Sequence, residues 1–157
     1  MNKPLKDLIE QHLKHLELKP KYTELSASDG LWRFELAPNL EAELFYHNKD
    51  ANPISLVMLS SMDTDLEEQT QSTFVHAMSQ VCTPVSLLSS ERSISLRLHL
   101  QATQHTLSQL LSEGVILCRF FAGPLFLGLS ELQSNQSSLD QTIKETLSRL
   151  KDREIHS

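Results

Sequence analysis

The sequence predicts an α+β fold, a twisted antiparallel sheet packed by helices. Two observations carry that expectation. The hydrophobic period switches along the chain between three to four residues and two residues, the periods of helix and strand. Only 4 glycines and 6 prolines interrupt 157 residues, so most of the chain should be regular structure. That length suits one compact domain, expected over residues 1–132, with a polar linker and an extra helix over 133–157.

The first element is an amphipathic helix over 3–18. Pro4 suits a first turn, and Leu5, Leu8, Ile9, Leu13 and Leu16 recur at helical spacing until Lys19-Pro20 stops them. A connector containing Asp29-Gly30 follows, and the period falls to two. Trp32, Phe34 and Leu36 form one strand; past Pro38-Asn39, Leu40, Ala42, Leu44 and Tyr46 form a second. Ile54 to Ser61 makes a third. Thr64-Asp65-Leu66-Glu67 is a capping-box pattern opening a helix to about residue 80, with Leu66, Phe74, Ala77, Met78 and Val81 as its stripe. Val85–Ser89 and Ile94–Leu100 are the fourth and fifth strands, joined by Ser90 to Ser93. Thr103 or Thr106 caps a helix carrying Leu107, Leu110, Leu111, Ile116, Leu117, Phe120 and Phe121, which Gly123-Pro124 kinks or ends. After the polar stretch 133–138, Leu139, Ile143, Leu147 and Leu150 mark a last helix.

Charge narrows the function classes. Fourteen Lys and Arg against 20 Asp and Glu give −6, which disfavours a nucleic-acid partner or an anionic membrane surface. The acidity is concentrated: residues 24–68 carry ten acids against Arg33 and Lys49, whereas residues 1–21 carry five lysines against three acids. Two cysteines, Cys82 and Cys118, make no disulfide framework, and Met1-Asn2-Lys3-Pro4 shows no signal-peptide pattern, so the expected compartment is the cytoplasm.

No motif points to catalysis or to a cofactor. His12 and His15 share a helix face, but no third ligand stands at a metal-site spacing, and no metal is expected. Asp63 to Glu68 lacks the glycine and distal glutamate of a calcium loop. The glycines at 30, 114, 123 and 128 assemble no phosphate loop, and Gly128-Leu129-Ser130-Glu131 is no nucleophile elbow. Gly114 to Leu129, with Arg119 its only charge, reads as a buried helix too short and too broken to span a bilayer. The leucine-striped helices leave an apolar surplus, either core packing or an interface with another chain.

A small acidic chain with the order α-β-β-β-α-β-β-α resembles the class I type III secretion chaperones, the Tir-chaperone group. The resemblance runs from Leu5 to Leu129: the opening helix, the Trp32–Leu36 and Leu40–Tyr46 hairpin, and Ile54–Leu59 leading into Asp65–Gln80. Val85–Ser89 with Ile94–Leu100, then Leu107–Phe121, complete it. Val81-Cys82-Thr83-Pro84 departs from the family's small, glycine-rich pattern there, and the last helix lies outside it. The resemblance implies a cytoplasmic, non-catalytic homodimer without cofactors that keeps the non-globular N-terminal region of a secreted effector export-competent. An adaptor of the same fold that binds a folded partner is the alternative. Effector pockets would come from Leu5, Leu8, Ile9 and Leu13 with Trp32, Phe34 and Leu44. The family's dimer interface maps onto Leu66, Phe74, Ala77, Met78, Val85 and Leu87.

Overall fold

The computed structural model describes residues 4–156. Its elements are α1 (Leu5–His15), β1 (Lys21–Glu24), β2 (Gly30–Ala37), β3 (Leu40–His47), β4 (Ile54–Asp63), α2 (Glu68–Ser79), β5 (Ser86–Ser90), β6 (Ser93–Ala102), α3 (Leu107–Gln133) and α4 (Leu139–His156). The strands form one six-stranded antiparallel sheet in the order β1-β2-β3-β4-β6-β5, so β1 and β5 are its edges. The fold is α+β, as the switching periods predict.

Several local expectations give way. The connector after α1 holds an unexpected strand, β1, whose Lys21, Thr23 and Glu24 are exposed and leave no alternating apolar face to read. α1 ends at His15, before Lys19-Pro20. Leu18 N–H donates to Leu13 O (3.1 Å) and Glu17 N–H to Lys14 O (3.0 Å), a Schellman closure that puts Glu17 at φ 63°. The capping box at Thr64 does not form. The Thr64 hydroxyl accepts from Leu66 N–H (3.0 Å) and its own N–H donates to Arg92 O (2.8 Å), so α2 starts four residues later without a side-chain cap. Gly123-Pro124 does not end α3, which runs through Pro124 for 27 residues.

The chain divides into two compact units, Met1–Ser60 with Leu98–Ile116, and Ser61–Arg97 with Leu117–Ser157. In the first, Ile9 and Leu13 of α1 are wholly buried, each contributing about 2 kcal/mol by leaving water. Trp32 lies between Tyr22 and Tyr46, ring centroids 4.9 and 5.3 Å away, and its indole N–H donates to Glu10 (3.2 Å). Gly30 makes room for this stack, since a Cβ there would meet the Tyr22 hydroxyl at 2.6 Å.

In the second unit, buried Gln71 of α2 donates its side-chain NH2 to Ser89 Oγ (2.7 Å), Ser90 O (2.5 Å) and Ser93 O (3.0 Å), clasping the β5–β6 turn. Gly128 of α3 faces Thr146 of α4 and Phe74 of α2. Arg149 of α4 pairs with Glu131 at 2.9 Å. Thr142, Thr146 and Leu150 of α4 are buried, and α4 belongs to the same unit as α2 and β5.

Candidate functional site

A half-open cavity of about 250 Å3 lies in the first unit, where the starts of α1 and α3 meet the loops that follow β3 and β6. Leu5, Leu8, Ile54, Ala102 and Leu107 make its apolar wall; Lys49, Asn52, Thr103 and Gln104 make a polar rim. Both loops are held by local hydrogen bonds. After β6, Thr103 N–H donates to Thr106 Oγ1 (2.9 Å), while Leu110 N–H takes Thr106 O (2.9 Å) as the first turn of α3 closes. After β3, the Asp29 carboxylate is the anchor. It accepts from Asn48 N–H (2.8 Å) and lies 3.0 Å from His47 Nδ1, and Lys49 N–H donates to Ser28 O (2.9 Å). Asn48 supplies the left-handed residue of this turn, at φ 56°. The Asn48 N–H, foremost, holds the Asp29 carboxyl below its usual value.

Of the seven positions expected to hold an effector, only Leu5 and Leu8 line this cavity, both half-buried. Ile9, Leu13, Trp32, Phe34 and Leu44 are 0–4 % exposed. The chain's own α1 covers the face of the β2–β3 hairpin that would otherwise have been the pocket, with Glu10 hydrogen-bonded to Trp32 and Lys6 Nζ 4.3 Å from the Tyr22 ring centre. Burial and the Tyr22 hydroxyl, 2.8 Å away, hold the Tyr46 phenol well above its ordinary range.

The positions expected at a dimer interface divide similarly. Phe74, Met78, Val85 and Leu87 pack inside their own unit, and Leu66 and Ala77 are half-buried. The outward apolar groups beside them are Val81, 40 % exposed, and Leu88, 43 % exposed. Leu88 stands on edge strand β5, Ser86-Leu87-Leu88-Ser89-Ser90, which has neither charge nor proline to blunt it. By contrast, the opposite edge, β1, is four residues long and carries Lys21 and Glu24. No known family model, curated protein or solved structure matches the chain.

The remaining reactive groups are placed as follows. Cys82 and Cys118 are buried, and burial pushes their thiols up to about 11 and about 12. Among the described residues, no three His, Cys, Asp or Glu side chains gather as a metal site. α3 is long and apolar enough to cross a membrane by length and composition, and half of its most apolar stretch is buried.

The rim residues Lys49, Asn52, Thr103 and Gln104 carry no signal in the sequence, because they converge only when β4 and β6 lie side by side. Leu88 is hidden for another reason. In Leu87-Leu88, alternation cannot tell which leucine faces inward.

Proposed function

We propose that this chain is a non-catalytic binding protein, a homodimer that holds the non-globular N-terminal region of a secreted effector, as the type III secretion chaperones it resembles do. The cavity at the start of α1 is the observation that carries the proposal. At about 250 Å3 it falls below the roughly 300–1,000 Å3 that enclose a cofactor-sized ligand, and it suits an apolar side chain of an extended partner. An unfolded segment can present such side chains singly, without a complementary folded surface. Pairing of β5 with β5 of a second copy would satisfy its free backbone edge and cover Leu88.

The test is calorimetry against the first ~50–100 residues, supplied as a free peptide, of a secreted protein encoded beside this one; that length lets a disordered partner wrap a large surface. Binding by the peptide alone is expected. Binding by the folded full-length partner but not by the peptide favours the adaptor alternative and removes the proposal.

A further inference from the structure

We infer that the cavity at the start of α1 selects a large aliphatic side chain flanked by an acidic residue. This inference rests on the proposed binding of a non-globular segment and names which part of such a segment is recognised. Leu5, Leu8, Ile54 and Leu107 supply the aliphatic part of a lining that is about equally polar and apolar, and an aliphatic group can pack against that part. Among the described residues, Lys49 is the only charged one in the lining. Its ammonium forms no ion pair with a carboxylate among the described residues, so it is available to a partner.

The backbone at Lys49 is fixed. Its N–H is bonded to Ser28 O, and the preceding Asn48 is bonded to Asp29, so the ammonium works from a constrained base at the cavity mouth. The acid must sit next to the apolar anchor. Beyond about 8 Å, one screening length, the attraction of an exposed ammonium is largely lost. Asn52, Thr103 and Gln104 on the rim offer hydrogen bonds to the backbone on either side of the anchor.

The probes are three capped twelve-residue peptides of Gly, Ser and Gln that differ only at the centre: Leu-Asp, Leu-Lys and Ala-Asp. Each is titrated into the full chain carrying 13C-methyl leucine. Leu-Asp is expected to move the methyl signals of Leu5, Leu8 and Leu107. Leu-Lys should bind about fivefold more weakly, the effect of one exposed ion pair, and Ala-Asp more weakly still. Lys49→Glu should reverse the order of Leu-Asp and Leu-Lys. If that variant melts early, Lys49→Gln should bring the two to equal affinity.

Equal binding of Leu-Asp and Leu-Lys to the unaltered chain, shifts confined to other leucines, or no binding by Leu-Asp would each overturn the inference. If a long effector segment binds while no short peptide does, only the cavity's selectivity is lost and the proposed function stands. If Leu-Asp occupies the cavity and the long segment does not bind, the effector role fails and the subsite remains.

Discussion

Gly128 and Thr146 lie so close that a Cβ on the glycine would stand 2.5 Å from the threonine hydroxyl oxygen. The same methyl would reach the Phe74 ring at 3.3 Å, so α2, α3 and α4 meet at a point with no spare volume. Gly128→Ala gains about 1 kcal/mol of helix propensity and loses about 1–3 kcal/mol to overpacking. A net loss of up to about 2 kcal/mol is expected, read as a lower urea midpoint with an unchanged slope.

The Thr146 hydroxyl is buried without a hydrogen-bond partner among the described residues. Thr146→Val keeps the shape and removes the unsatisfied oxygen, so a gain of about 1 kcal/mol is expected in thermal unfolding. A loss would mean that the hydroxyl has a partner in solution.

Phe74 and Leu88 separate folding from association. Phe74 is 1 % exposed, and Phe74→Ala should cost about 4 kcal/mol. Phe74→Asp should unfold the chain, for it buries a charge in the chain's own core. Leu88→Lys places its charge on the outer face of β5 and should give a folded monomer in sedimentation. A Leu88→Lys chain that still sediments as a dimer would remove β5 from the interface.

Glu17 closes α1 at φ 63°, where a β-carbon costs about 1–2 kcal/mol. Glu17→Gly relieves that cost and pays part of it back in unfolded-chain entropy, leaving an expected gain of about 0.5–1 kcal/mol. Asn135, at φ 57° after α3, is a residue that tolerates this region, so Asn135→Gly should change the melting temperature less.

Asp29 titrates below 3.8 in the folded chain, its charge favoured first by the Asn48 N–H. A depressed carboxyl adds stability that is fully present above its unfolded value and is lost as pH falls through the folded value. The stability gap between the unaltered chain and Asp29→Asn should therefore be present at about pH 5 and close as pH falls from there towards 2. Denaturant midpoints across that range check the sign, and a gap that widened on acidification would contradict the assignment.

Legibility in the sequence followed how much apolar pattern each element carries. β6 was plain, because Ile94, Leu96 and Leu98 alternate inward against Ser95, Arg97 and His99. β1 was not, as an edge strand of Lys, Tyr, Thr and Glu buries almost nothing. Pro124 reads as a breaker, yet the helix around it continues; residues on both sides, Ala122 and Leu125, are buried, and packing there outweighs one lost hydrogen bond. Leu5 and Leu8 were recognisable as part of an apolar stripe. Periodicity does not distinguish the stripe's centre, Ile9 and Leu13, from its margin, and only the margin reaches the cavity. Lys49 and Thr103 are 54 positions apart, and no local pattern links them.

Gln71 gives the β5–β6 turn a shared fate with α2. Its NH2 spans Ser89, Ser90 and Ser93, while its oxygen is buried without a partner among the described residues. Two turn carbonyls fix the orientation of the amide, because only the nitrogen end can donate to them. The tip of the hairpin consequently has no small-scale opening of its own. Deuterium uptake at the backbone amides around Ser90–Ser93 should follow the rate at which α2 detaches, and the turn beside the β5 edge is kept in register by a helix rather than by its own sequence.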